Sequence, residues 1–98
     1  MKIPRENLYL RNSRLEQNPG KQKQGNFYKK VLNSLKKIGQ VNPLICVKDG
    51  DKYKVCVGNN RFLAGSELGF KEFDIIVVPD ENRNKFTEIM NSYKLVNL

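Results

Sequence analysis

The sequence predicts an α+β fold in which a compact mixed sheet is flanked by helices, in the order β-α-ββ-α-β-α. Apolar residues between 28 and 38 recur at helical spacing, whereas residues 44–47, 53–57 and 73–78 are short apolar runs separated by glycine and proline. The 98 residues suit one domain with one modest core. We therefore treat residues 1–98 as a single domain.

The N-terminal quarter of the chain predicts one extended segment and one loop. Residues 3–10 read as extended because Leu8 and Leu10 occupy alternate positions. Residues 12–26 carry no periodic apolar pattern, and they hold glycine and proline among lysine and glutamine. We expect this stretch to be a mobile basic loop and its Arg14 to be available to an anion.

A helix is predicted from Asn26, its expected N-cap, to residue 38. Its apolar residues fall on one face, and they are Tyr28, Val31, Leu32, Leu35 and Ile38. Gly39 supplies the stop, and Pro43 prevents any continuation of the helix.

The rest of the chain alternates strands and helices. Residues 44–47 and 53–57 form a predicted hairpin around the turn at residues 48–51. Residues 61–68 form a short helix that Asn59 and Asn60 are placed to cap, and residues 73–78 form a buried strand. A last helix is predicted after Asp80, with Phe86, Ile89, Met90 and Tyr93 on one face.

Composition excludes several classes of site. The chain has no histidine, which removes imidazole bases and histidine metal ligands. Cys46 and Cys56 lie at apolar strand positions and are expected to be reduced core thiols. No apolar run is long enough to cross a bilayer and the N-terminus lacks a signal-peptide pattern, so we expect a cytoplasmic protein.

Positive charge is concentrated in the first two-fifths of the chain. Residues 1–40 hold ten Lys and Arg against two acidic residues, whereas residues 41–98 hold eight of each sign. This asymmetry favours a polyanionic partner, either a nucleotide phosphate or a nucleic acid. No helix combines a basic face with bulky exposed apolar residues, so we expect no membrane partner.

Residues 58–61, Gly-Asn-Asn-Arg, are the most informative segment. A strand that ends in Gly58 and passes directly into a helix brings the backbone close to an anion. The amide groups of the first helical turn and the positive end of the helix dipole favour a phosphate there, and Arg61 offers a guanidinium. The alternative interpretation is an ordinary strand-to-helix turn with a capping Asn and a surface Arg.

A second group of residues surrounds the end of the long predicted helix. It comprises Ser34, Gly39, Asn42 and Pro43. By themselves, these residues read as a helix stop followed by the entry to a strand.

Together the two segments resemble the N-terminal domain of ParB-type partition proteins, in the ParB/sulfiredoxin superfamily. The resemblance runs from Ser34-Leu35 through Gly39 and Asn42-Pro43-Leu44-Ile45 to Tyr53 and Gly58-Asn59-Asn60-Arg61, and then to Ala64 and Leu68-Gly69. It covers about residues 3–78. Any single piece is weak, whereas the order and spacing of the pieces are specific.

The resemblance implies a pocket for a nucleoside triphosphate, CTP or ATP, usually with magnesium. It places Gly58, Asn59, Asn60 and Arg61 on the triphosphate. It places Gly39, Asn42 and Pro43 near the base and sugar, with Ser34 on the preceding helix, and makes Arg14 a further phosphate contact.

Departures from the family pattern limit what the resemblance implies. Asn59-Asn60 stand where the partition proteins carry Glu-Arg, which removes a carboxylate and a positive charge. Sulfiredoxins carry Cys-His at this turn, so we do not expect sulfinic acid reductase activity here. From the length we expect neither a helix-turn-helix nor a dimerisation domain.

Three functions are open at this point. The first is a ParB-like domain that binds CTP or ATP through residues 58–61, coupled to DNA binding or processing. The second is a nucleic-acid-binding or nuclease-like domain that uses the basic residues 1–40. The third is a non-catalytic accessory domain that contacts a partner protein or a second copy. We identify no catalytic residue and no metal ligand, so weak nucleotide hydrolysis or nuclease-like activity is left open. We expect the protein to act in a bacterial host cell or in a phage-infected cell.

Overall fold

The computed structural model describes residues 1–79 and 88–89. In this part of the chain a five-stranded mixed sheet is flanked by helices, and the predicted α+β class is confirmed. The elements are β1 (Lys2–Pro4), β2 (Leu8–Leu10), α1 (Ser13–Gln17), α2 (Gly20–Gln24), α3 (Asn26–Ile38), β3 (Leu44–Asp49), β4 (Lys52–Val57), α4 (Asn59–Glu67) and β5 (Glu72–Val78).

The strands lie in the order β1-β5-β3-β4-β2. β3 and β4 form the predicted antiparallel hairpin, with Ile45 opposite Val57. β2 runs parallel to β4 and β5 runs parallel to β3, whereas β1 is antiparallel to β5. The start of β3 and the end of β4 therefore lie side by side at the same end of the hairpin.

Both faces of the sheet are apolar in its central strands. One face packs against α3 and α4 and includes Leu44, Cys46, Val55, Phe73 and Ile75. The other face collects Ile45, Cys56 and Val78, with Ile89 packed against them. Cys46 and Cys56 are buried thiols, as the sequence predicts. Two-sided burial explains why the strands read as continuous apolar runs.

The N-terminal segment differs from the single extended stretch predicted for residues 3–10. A 3-10 turn at Arg5–Asn7 divides it into β1 and β2, and these strands lie at opposite edges of the sheet. Pro4 precedes the turn with φ of −58°. The alternation of Leu8 and Leu10 is real, and both side chains are buried.

Residues 12–26 are not the predicted loop, because they form α1 and α2 and lead into α3. The Asn12 side chain caps α1 by accepting a hydrogen bond from the Leu15 amide at 3.2 Å. Each of these helices has only five residues and no buried one, so neither produces a helical apolar period in the sequence. The prediction of a loop without helices was therefore wrong.

The long helix α3 has the predicted apolar face at Tyr28, Val31 and Leu35, which are buried, whereas Ile38 at its last position is exposed. Its N-cap is Gly25 rather than Asn26, and Asn26 is the first helical residue. Gly39 ends the helix with φ of +74°, and its amide donates to the Leu35 carbonyl at 2.9 Å.

The last predicted helix lies largely outside the described residues. Within it, Glu88 and Ile89 are described, and both are helical. Among residues 1–79 and 88–89, no helix is both long and apolar enough to cross a membrane.

Candidate functional site

A cavity of about 260 Å³ lies at the N-terminus of α4. It is formed by the residues of the strand-to-helix turn together with side chains of α2 and α3. The described residues that line it are Gln22, Phe27, Val57, Gly58, Asn59, Asn60 and Arg61. All four residues of the predicted phosphate turn therefore face one cavity.

Gly58 allows the chain to pass directly from β4 into α4. It is the N-cap of α4 and has φ of +108°, a left-handed conformation that L side chains rarely adopt. A Cβ at this position would lie 2.6 Å from Leu44 Cδ2 and 3.2 Å from Arg61 Nη1. Both the backbone conformation and the packing at the turn therefore require glycine.

The first turn of α4 presents backbone amides at the cavity. The first hydrogen bond of the helix runs from the Phe62 amide to the Gly58 carbonyl at 2.9 Å. The amides of Asn59 and Asn60 precede it and have no acceptor within the helix. They stand at the positive end of the helix dipole, where a phosphate oxygen is a favourable acceptor.

Arg61 lines the cavity from inside the protein. Its side chain is 1% exposed, and Nη1 donates to the Pro43 carbonyl at 2.6 Å. Burial lowers the pKa of this guanidinium from 12.5 to about 10, so it is still charged at neutral pH. Arg61 therefore places a buried positive charge beside the turn, and it also ties the turn to the start of β3.

The two asparagines occupy the first two positions of α4, and neither is its N-cap, which corrects the capping role predicted for them. Asn60 Oδ1 accepts a hydrogen bond from Gln22 Nε2 of α2 at 2.6 Å. Asn59 Oδ1 is buried without a hydrogen-bond partner among the described residues. The Asn59 side chain is therefore a polar group at the cavity that has no protein donor in this part of the chain.

The second motif meets the first through Pro43. Because β3 and β4 are antiparallel, Pro43 lies beside the turn, and its carbonyl accepts from Arg61. Asn42 is 3% exposed, and its Nδ2 has no hydrogen-bond partner among the described residues. Ser34, Gly39, Asn42 and Pro43 are not among the residues that line the cavity.

Gln40, which we did not single out from the sequence, docks this segment onto β5. Its side-chain amide donates to the Asp74 carbonyl at 2.9 Å and accepts from the Asp74 amide at 2.7 Å. The same Nε2 also donates to the Asn42 carbonyl at 3.1 Å. The segment between α3 and β3 is thus held by side-chain hydrogen bonds to the backbone.

The structure assigns the N-terminal contribution to the cavity to α2 and α3. Arg14 is exposed on α1 and is not among the lining residues, which include Gln22 of α2 instead. Phe27 and Val57 also line the cavity, and neither is among the residues that the resemblance places at the nucleotide. Phe27 could have been singled out from the sequence as an aromatic residue close to lysines. Nothing in the sequence singles out Gln22, because its position at the cavity depends on how α2 packs.

The described lining does not make a magnesium site on its own. Protein-bound Mg²⁺ takes oxygen ligands, usually including one or two carboxylates. The lining side chains supply the amide oxygens of Gln22, Asn59 and Asn60 and no carboxylate. We therefore assign no protein ligand to magnesium and derive no step through it.

Solved structures with the same fold include a sulfiredoxin and chromosome-partitioning proteins. Sulfiredoxin from Arabidopsis thaliana is 17% identical with a TM-score of 0.64, over 92% of this chain and 94% of that one. ParB from Caulobacter crescentus, C-terminally truncated and complexed with CTP-gamma-S, is 16% identical with a TM-score of 0.67. The same ParB complexed to the centromeric parS site is 20% identical with a TM-score of 0.64.

The match to the two ParB structures covers 96% and 97% of this chain but only 52% and 50% of those chains. The chain thus spans about half the length of these C-terminally truncated ParB chains. No curated protein matches the sequence. The model of the ParB N-terminal domain family matches residues 5–92. With the fold and the Gly58 turn, this match shows that the chain belongs to the ParB N-terminal domain family.

Proposed function

We propose that this domain binds the phosphates of a nucleoside triphosphate, CTP or ATP, at the N-terminus of α4. The observation that carries the proposal is the cavity onto which residues 58–61 open. A helix N-terminus, a glycine that permits close approach and a buried guanidinium are together suited to a polyanion. That a related ParB was crystallised with CTP-gamma-S supports the nucleotide as the source of that polyanion.

Each lining group has a distinct part in such binding. The amides of Asn59 and Asn60 donate to phosphate oxygens, and Arg61 supplies a positive charge that is already held in place by Pro43. Because the protein orders this charge before the ligand arrives, binding does not have to immobilise a flexible side chain. The proposal is one of binding, and we assign no hydrolytic or nuclease step to any residue.

The test uses Asn60→Asp rather than a variant of Arg61, because loss of the buried Arg61 would disturb the core as well as the cavity. An aspartate keeps the oxygen that accepts from Gln22 and complements the helix dipole, so the fold is retained. It also places a negative charge at the phosphate position. We expect titration calorimetry with CTP, ATP, GTP and UTP, each with Mg²⁺, to show at least tenfold weaker binding for this variant.

Asn33→Asp is the matched control, because it makes the same charge change at an exposed position of α3. It should bind as the unchanged protein does. If the unchanged protein gives no heat with any of the four nucleotides, or if the two variants lose affinity equally, the proposal is wrong. The third function raised by the sequence, an accessory domain that only contacts a partner protein, predicts the first of these results.

A second candidate function is nucleic-acid binding, and the exposed face of α3 favours it. Lys29, Lys30, Lys36 and Lys37 are all exposed on this one helix. Lys30 and Lys37 are seven residues apart and therefore share a face. Lysine rows of this kind fit the phosphate backbone without reading base sequence.

A further inference from the structure

Phe27 is an apolar residue whose side chain is exposed and takes no part in the packing of the core. Its side chain is 53% exposed at the second position of α3, whereas the next residue, Tyr28, is 2% exposed and belongs to the core. The apolar face of α3 is therefore complete without Phe27. Phe27 is instead among the residues that line the cavity at the N-terminus of α4.

The cavity has two chemically different parts. Residues 58–61 provide backbone amides, amide side chains and the Arg61 charge, whereas Phe27 and Val57 provide apolar surface. A phosphate alone would use only the first part. A ligand that joins a phosphate chain to a flat aromatic group would use both, and a nucleotide has this construction.

We propose that Phe27 is a positioning residue that stacks on the base of the bound nucleotide, in place of Gly39, Asn42 and Pro43, which do not line the cavity. The inference rests on the proposed nucleotide site and adds the group that holds the end opposite the phosphates. Every base has a π face, so stacking favours nucleotides over simple polyphosphates and does not by itself choose among bases. Removal of one stacking ring typically weakens nucleic-acid base binding roughly 5- to 100-fold.

The test compares nucleotides with inorganic tripolyphosphate, which carries the phosphate chain but no base. We expect Phe27→Ala to weaken binding of CTP and ATP by roughly 5- to 100-fold and to leave tripolyphosphate affinity unchanged. Ile38→Ala is the matched control, since Ile38 is 58% exposed on the same helix but is not among the lining residues. It should leave the affinity for both ligands unchanged.

Phe27→Trp gives a second readout that does not depend on the alanine variant. The chain contains no tryptophan, so the new indole would be its sole reporter. CTP and ATP should quench its fluorescence in a saturable way, and tripolyphosphate at saturation should leave it unchanged.

Two results separate the proposals. If the unchanged protein binds nucleotides and Phe27→Ala binds them equally well, or if tripolyphosphate changes the indole signal as strongly as CTP and ATP do, the stacking role is wrong and the phosphate site stands. If the unchanged protein binds neither nucleotide nor tripolyphosphate, the proposed function itself fails and the stacking role fails with it.

Discussion

At the residue scale, Gly58 combines two requirements in one position. Its backbone has a positive φ, and its missing Cβ leaves room for the Leu44 side chain and the Arg61 guanidinium. Gly50, in the hairpin turn, has φ of +61° but no atom within 4 Å of the position a Cβ would take. Substitutions at these two glycines therefore distinguish the free-energy cost of backbone strain from the free-energy cost of side-chain crowding.

We predict that Gly58→Ala lowers the free energy of unfolding by about 2–5 kcal/mol, the sum of left-handed backbone strain and overpacking. Gly50→Ala should lower it by only about 1–2 kcal/mol, because strain alone applies there. Urea unfolding of both variants measures the difference. Equal losses would show that the contact with Leu44 and Arg61 does not constrain residue 58.

At the element scale, α2 was not predicted from the sequence, although its Gln22 lines the cavity. Gln22 donates to Asn60, and Lys23 Nζ lies 3.2 Å from Glu67 Oε1, so α2 contacts both ends of α4. The ion pair is partly exposed and worth at most about 1 kcal/mol. The Gln22 contact matters more for the site, because it places α2 against the turn that opens the cavity.

The exposed lysines of α3 carry the prediction for nucleic acid. If α3 contacts a phosphate backbone, Lys30→Gln combined with Lys37→Gln should weaken binding to a DNA duplex. It should also lower the slope of log affinity against log salt by about 0.9 for each lysine that contacts a phosphate. Lys52→Gln combined with Lys71→Gln removes the same charge from other exposed positions and is the control.

Fluorescence anisotropy with a labelled duplex at several salt concentrations measures both quantities. Equal effects of the two double variants would mean that net charge acts rather than the face of α3. An absence of binding at low salt would remove the nucleic-acid function altogether.

At the scale of the whole molecule, buried groups predict how stability changes with pH. Burial raises the pKa of the Cys46 thiol from 9.0 to about 12. Burial, followed by the nearby Glu67 carboxylate, raises the pKa of Tyr28 from 10.0 to about 12. In both cases the unfolded chain releases a proton that the folded protein keeps, so stability falls as pH rises above the unfolded pKa. The lowered pKa of Arg61 acts in the opposite direction above about pH 10.

Between about pH 9 and pH 10 Cys46 makes the largest contribution of these three groups, because Tyr28 and Arg61 begin to titrate only near pH 10 and act in opposite directions. We predict that the free energy of unfolding falls by about 1 kcal/mol across this interval. Cys46→Ala should be less stable at pH 7 but should show no such fall. Val55→Ala, at another fully buried core position, should lose stability and keep the fall. Urea unfolding at pH 8, 9 and 10 tests this, and a flat profile for the unchanged protein would contradict it.

Much of the fold and part of the site could be predicted from local pattern. The apolar period of α3, the hairpin and the last described strand follow from spacings of a few residues, which bury one face of a helix or both faces of a strand. The turn at residues 58–61 was likewise predicted as a strand-to-helix junction. These features depend on residues that are close together in the sequence, so they can be predicted before the fold is known.

Other parts of the site depend on contacts between distant residues. The Gln22 and Asn60 side chains are 38 residues apart, and the Arg61 guanidinium reaches a carbonyl 18 residues earlier. A Cβ at Gly65 of α4 would lie 2.5 Å from the ring of Phe73, a constraint that no helical pattern shows. The resemblance placed Arg14 at the phosphates, yet Arg14 is exposed on α1 and is not among the residues that line the cavity.

The sequence by itself therefore determined the class of fold, the helix-start turn and the concentration of positive charge in residues 1–40. Each of these is a property of composition or of neighbouring residues. Only the tertiary structure decided that Arg61 is buried behind the turn, that α2 closes one side of the cavity and that Phe27 faces it. The physical reason is that these positions are set by packing among α2, α3 and α4, and a side chain's exposure is known only when its neighbours in space are known.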